Sequence, residues 1–166
     1  MAELATQKTY EVVQAVPNAI IVHCSDPRFQ KAFSSFIAEE LGFTEGTYIP
    51  LVVSGAVGSL SEPLKLPKEF KFMKERIEMF ITRFDTINRI ILINHEDCQH
   101  YEALKSFLGN IFLNRVRDMI ERQKVDLKTV SNALLQLAGV KVDVDLYYAR
   151  FADGQKNTVV FEKIAG

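Results

Sequence analysis

The chain has 166 residues, 48% of them hydrophobic, which suits a single globular domain over residues 1–166 with a substantial buried core. Its 20 basic and 21 acidic residues are spread without blocks and give a net charge of -1, so nothing marks a nucleic-acid or membrane-surface binder, and a small-molecule partner is expected. Met1 to Lys8 lacks the basic start and apolar core of a secretory leader, and no apolar run approaches the roughly 20 residues of a membrane span, so a cytoplasmic setting is expected.

Residues 1–18 form an amino-terminal extension whose Tyr10–Val16 stretch fits a helical turn or a strand equally well. Ala19 to His23 is a continuous apolar, β-branched run after Pro17-Asn18, as expected of a strand covered on both faces. Phe29, Ala32, Phe33, Phe36, Ile37 and Leu41 then recur at helical spacing, and Gly42 supplies the stop. Thr47 to Val53 is the second strand, followed by the small, flexible loop Ser54 to Ser59 and a proline-bearing connector from Leu60 to Pro67.

Phe70, Met73, Ile77, Phe80, Ile81 and Phe84 mark one face of the next helix. Phe72 and Met79 lie off that stripe, which suggests either a wide core face or a second surface to bury against a partner subunit. Arg89 to Asn94 is the third strand. Leu104 to Ile120 continues a long helical pattern towards Gln123, with a break point at Gly109-Asn110, and Asp126 to Ala138 reads as a further helix ended by Gly139.

Val140, Val142, Val144, Leu146 and Tyr148 alternate with polar or amphipathic residues, the period of a strand with one wetter face, and Asp153-Gly154 turns the chain back for Thr158 to Ile164. Strands separated by helices predict an α/β fold: a mostly parallel sheet in the order 2-1-3-4, helices on both faces, and a C-terminal antiparallel hairpin strand. In that order the strand sequence reverses between the first and third strands, where ligands of open sheets bind.

Both cysteines leave strand ends at that reversal. Cys24-Ser25-Asp26-Pro27-Arg28 follows the first strand and His95-Glu96-Asp97-Cys98 follows the third. Two thiols and an imidazole are the protein share of a zinc site that keeps a fourth position open or lends it to a carboxylate. Cys24, Asp26 and Arg28 alternate, so an extended chain turns all three to one side, and Pro27 keeps Asp26 out of the helical region. Asp26 is thereby a candidate fourth ligand that can turn instead to a salt bridge with Arg28 and free the metal for water. Water on zinc loses its proton near neutral pH in favourable sites. Two thiolates donate more charge than histidines, so activity is expected to favour alkaline pH. Cys98 precedes a helix expected to begin near Tyr101, whose positive end favours its thiolate. His23 reads as a core or interface histidine, and Glu96 and His100 as solvated loop residues.

The pair Cys24-x-Asp26-x-Arg28 and His95-x-x-Cys98 resembles the two motifs of the β-class carbonic anhydrases. The resemblance implies a lyase of the carbonate dehydratase type: zinc on Cys24, His95 and Cys98, and reversible hydration of carbon dioxide to bicarbonate by zinc-bound hydroxide. It further implies control of the fourth position by the catalytic pair Asp26 and Arg28, a substrate pocket at Ser54, Gly55 and Ala56, and a homodimer or higher homo-oligomer. Gln99 stands where the family often has glycine, and Ser54-Gly55-Ala56 keeps the small residues of the family's loop without its polar ones.

Two other readings remain. The same scaffold can serve another small substrate, or bind an anion without catalysis on a Gly55-x-x-Gly58 cradle. A thiol redox protein can use Cys24 and Cys98, although it has no Cys-x-x-Cys motif and leaves His95 without a task. The spacing from Cys24 to Arg28 is too short for a Cys-x5-Arg phosphatase loop.

Overall fold

The computed structural model describes residues 8–61, 67–108, 119–137 and 142–165. Five strands, β1 (Ala19–Cys24), β2 (Tyr48–Val53), β3 (Arg89–His95), β4 (Asp143–Phe151) and β5 (Val159–Ile164), form one sheet in the order β2-β1-β3-β4-β5. The first four are mutually parallel and β5 closes the edge antiparallel to β4. The fold class and strand order are those expected from the sequence.

The alternation of side chains along β1 and β3 divides the core. Ile20, Val22, Ile90 and Leu92 face one side, and Ala19, Ile21, Ile91 and Ile93 face the other, all with no exposed surface. Fully burying one such branched side chain is worth ~1.5–3 kcal/mol, so these two strands contribute heavily to the core on both faces of the sheet. Pro50 sits on β2, an edge strand, where its missing N–H removes no bond from the ladder to β1.

Helix α1 (Gln30–Glu39) covers the second face with Phe33, Phe36 and Ile37. It ends where the sequence places Gly42, at φ +73°, with the Phe43 N–H donating to the Ile37 carbonyl at 3.0 Å. The first face is covered by α2 (Gly58–Ser61), α3 (Pro67–Arg83) and α5 (Met119–Leu137), through Leu60, Met73, Ile77, Leu127, Val130 and Leu134. A further helix, α4 (Gln99–Leu108), starts directly after Cys98, two residues earlier than expected.

Several expectations are corrected. The chain is one helix through Gln123 to Asp126, because nothing there breaks a helix and Gln123, Leu127, Val130 and Leu134 continue a single inward stripe. Strand β4 lies three residues further on, its end held by pairing of Phe151 with Val159. The connector contains the short helix α2. Residues 8–18 have no regular secondary structure. Phe72 and Met79 are 50% and 40% exposed, so the wide-core explanation fails for them. The expected break at Gly109-Asn110, the stop at Gly139 and residues 62–66 of the connector lie outside the described residues. Among the described residues no helix is long and apolar enough to cross a membrane.

Candidate metal centre

The two central strands deliver the two motifs to one place. Cys24 ends β1, His95 ends β3, and Cys98 stands before α4, so Cys24 Sγ and Cys98 Sγ lie 3.9 Å apart. One donor atom from each of Cys24, His95 and Cys98 falls within 4.8 Å of the others, and all three residues are buried. A tetrahedral ion with bonds of about 2.3 Å to two sulfurs sets those sulfurs about 3.8 Å apart, which the observed separation matches.

The imidazole is prepared in the same way. His95 Nδ1 lies 2.8 Å from the Glu96 carbonyl oxygen, which can only accept, so Nδ1 carries the proton and Nε2 keeps its lone pair. That Nε2 is buried with no hydrogen-bond partner. An unsatisfied buried acceptor costs free energy unless something binds it, and a cation between two sulfurs is the partner this donor set fits. The Phe29 ring, 4.1 Å away centroid to centroid, fixes the plane of the imidazole.

The two thiols are close enough to influence each other's protonation. Cys24 is held below the ordinary thiol range, first by its hydrogen bond with Cys98 and further by the Gly55 N–H, which donates to Sγ at 3.3 Å. Cys98 is pushed up by Cys24 and by burial, and the α4 amides of His100 and Tyr101 act the other way. The helix amides thus favour the Cys98 thiolate, as its place before a helix suggested, the Gly55 N–H favours that of Cys24, and the closeness of the two sulfurs opposes charging both at once.

Asp26 is engaged by Arg28. Its carboxylate accepts from Arg28 Nη2 at 2.7 Å, Nε at 3.1 Å and the Arg28 backbone N–H at 3.0 Å. The Arg28 guanidinium beside it holds the carboxyl below the usual carboxylate range. Arg28 also donates from Nη1 to Asp97 Oδ2 at 3.1 Å and from Nη2 to the Asp97 carbonyl at 2.9 Å. Gln30 Nε2 pins the loop from inside, donating to the carbonyls of Cys24 and Asp26 at 2.9 and 2.7 Å. Sequence inspection missed both Asp97 and Gln30. Their types carried no signal, because their roles arise from where the two loops meet.

The loop after β2 borders the sulfurs. Gly55 sits at φ +75° and Ala56, at φ +47°, is fully buried against Cys24, Cys98 and Tyr101. Ser54 is exposed and lines a cleft of ≈ 470 Å³ with Lys68, Glu69, Phe72 and His100. The Gly55 amide is taken by Cys24 and the Gly58 N–H donates to the Gly55 carbonyl at 2.8 Å, so the glycine pair offers no anion cradle. His100 is half-buried over Gly55 rather than solvated, with its Nε2 sealed from water, and desolvation lowers its pKa. Glu96 accepts the Phe151 N–H at 2.8 Å and so ties the end of β3 to β4. His23 is a core residue whose ring packs on Phe33.

A buried polar chain lies behind the sulfurs. Asn94 Nδ2 donates to the Tyr101 hydroxyl at 3.2 Å, that hydroxyl meets the Asp126 carboxyl, and Arg122 Nε donates to Asp126 Oδ1 at 2.9 Å. The readable signal was a carboxylate beside Leu127 on the inward side of a helix. Burial pushes the Asp126 carboxyl up, opposed by Arg122, Tyr101 and Ser61. With a folded pKa above the unfolded one, the stability Asp126 contributes is complete below the ordinary carboxylate value and is lost as pH rises through the folded pKa. Asp126→Asn cannot ionise. The wild-type melting temperature, relative to that of the variant, is therefore expected to fall as pH rises from the ordinary carboxylate value through this window; a constant difference would show that Asp126 does not titrate there.

Several solved structures similar to this chain are carbonic anhydrases. The carbonic anhydrase from Streptococcus mutans matches at TM-score 0.58 and 12% identity, over 96% of this chain and 88% of that one. Isoform I of the β-carbonic anhydrase from Trichomonas vaginalis matches at 0.55 and 12%, over 95% and 87%. A tetrameric β-carbonic anhydrase from Sordaria macrospora matches at 0.53 and 14%, over 92% and 82%. The chain therefore has the β-carbonic anhydrase fold, as its two motifs suggested. No protein-family model and no curated protein matches it in sequence.

Proposed function

We propose that the protein is a zinc-dependent lyase that hydrates carbon dioxide reversibly to bicarbonate. The observation that carries this reading is the convergence of Cys24 Sγ, Cys98 Sγ and the unpartnered His95 Nε2 within one 4.8 Å cluster at the carboxyl ends of adjacent parallel strands. Zinc held by these three residues would act as a Lewis acid on a water molecule. The remaining work falls to side chains. The Gly55 N–H and the Glu96 carbonyl orient the sulfur and imidazole donors, and the burial of Ala56 and Tyr101 shields the sulfurs from solvent. Asp26, ionised and acceptor-only, would orient an O–H group by accepting its hydrogen bond while Arg28 holds the carboxylate. Support for carbon dioxide as substrate comes from the fold shared with carbonic anhydrases. The exposed pair Phe72 and Met79 on α3 favours association as a homodimer or larger homo-oligomer, and a cytoplasmic setting would keep both thiols reduced.

The deciding experiment is a hydration assay on the metal-loaded protein beside Asp26→Ala. Wild type is expected to be active with a rate rising to alkaline pH, and the variant to keep its metal while turning over at least about a hundredfold more slowly, the low end of what a positioned proton-handling group contributes. A fully zinc-loaded wild type inert at every pH would sink the carbon dioxide reading and leave a zinc protein with another substrate. The 3.9 Å between sulfurs also allows a redox reading. Metal content near zero per chain, with a disulfide forming and breaking reversibly, would favour it.

A further inference from the structure

We propose that Asp97, supported by Lys156, is a positioning residue that anchors Arg28 and thereby keeps Asp26 away from the metal position. The inference rests on the proposed metal centre and extends it to two residues outside the ligand and Asp26–Arg28 sets. Arg28 is 43% exposed at its side chain, and a long exposed arginine loses much rotamer freedom when it is held in one geometry. Two bonds from Asp97 remove that freedom in advance: the carboxylate takes Nη1 and the carbonyl takes Nη2, leaving Nε and the other side of Nη2 presented to Asp26. Asp26 then meets a fork already in place.

The backbone is shaped for this. Asp97 stands between His95 and Cys98 at φ +59°, a left-handed conformation that costs most residues free energy and that aspartate and asparagine tolerate best. Lys156 donates from Nζ to the same Asp97 Oδ2 at 3.0 Å, offsetting the second negative charge that Asp97 brings near Asp26. Lys156 is itself at φ +59°, in a turn built by Asp153, whose carboxylate accepts the N–H groups of Gln155, Asn157 and Thr158 at 2.9, 3.2 and 3.0 Å. The β4–β5 hairpin thus reaches the Asp26–Arg28 pair through a chain of four alternating charges: Lys156, Asp97, Arg28 and Asp26.

The test uses the cobalt(II)-substituted protein and azide, read from the metal's visible absorption. Asp97→Asn keeps the backbone conformation and the carbonyl bond and loses the carboxylate. If Asp97 anchors Arg28, Asp26 competes for the metal more often in the variant, and azide binds about fivefold more weakly, the loss of one solvent-exposed charge-assisted hydrogen bond. Removing a negative charge would by field alone tighten azide binding, so the two explanations differ in sign. In an Asp26→Ala background the weakening should vanish. Equal or tighter azide binding in Asp97→Asn alone, or the same weakening without Asp26, overturns the proposal. A second readout needs no metal: hydrogen exchange of the Arg28 Nε–H, identified by its loss in Arg28→Lys, should be several-fold faster in Asp97→Asn and in Lys156→Ala than in wild type. Unchanged exchange in both overturns the anchor, whereas failure to take up cobalt or zinc overturns the metal reading and leaves the exchange result to decide the anchor.

Discussion

Cys98→Ser is expected to fold normally and to lose its zinc. The side chain at position 98 has two tasks, and serine can perform only one of them. As the residue before α4, it receives the first amides of the helix, and a serine oxygen caps a helix N-terminus as well as any side chain does. As a metal ligand it must give up a proton, which an alcohol does far less readily than a thiol. Replacement therefore leaves Cys24 and His95 as two donors where zinc takes at least three from protein in such centres. Disturbing an outer-shell partner already costs ~10–100-fold in metal affinity, so loss of a direct ligand should cost more than about a hundredfold. Metal analysis after dialysis should find about one zinc per wild-type chain and almost none in the variant, with matching circular dichroism. A variant that keeps its zinc would remove Cys98 from the ligand set.

The second large effect is expected at Gly55. A β-carbon there would stand 2.2 Å from His100 Cδ2 and 2.3 Å from Cγ, closer than any real contact, and the residue is at φ +75°. Gly42 has nearly the same conformation, φ +73°, but nothing lies within 4 Å of its would-be β-carbon. Gly42→Ala should therefore pay only the left-handed backbone cost, ~1–2 kcal/mol, while Gly55→Ala adds the displacement of a half-buried imidazole and should lose ~2–4 kcal/mol in total. The Gly55 N–H also holds Cys24 Sγ, so zinc affinity should fall about tenfold in Gly55→Ala and not at all in Gly42→Ala. Urea denaturation and competition with a chromophoric chelator measure the two effects. Equal losses in the two variants would show that the His100 contact carries no weight.

The fold was legible because its strongest signals are local. Ala19 to His23 and Arg89 to Ile93 are unbroken, largely β-branched runs separated by helical patterns, so a mostly parallel sheet followed, and the order 2-1-3-4 is the one that brings the two cysteine motifs together. The three candidate ligands were legible for the same reason, since each stands at the end of such a run or just beyond it. What escaped detection depends on where separate loops meet. Asp97 meets Arg28 and Lys156 across 69 and 59 residues, and no periodicity links them. The polar chain from Asn94 to Asp126 was hidden likewise, because Tyr101 joins a strand end to a distant helix. The helix break expected between Gln123 and Asp126 came from reading two polar-rich residues as punctuation, where without glycine or proline the backbone simply continues.

The separation of 74 positions between Cys24 and Cys98 bears on how the molecule must assemble. Cys24 and His95 come together only when β1 lies beside β3, and the segment between those strands holds β2 and α3. Parallel pairing of this kind closes a long loop before any contact rewards it, which makes it a slow event in folding. The half-sites thus stay apart in early, partly collapsed states, and a nascent chain offers no preassembled trap for stray metal until its central strands have docked.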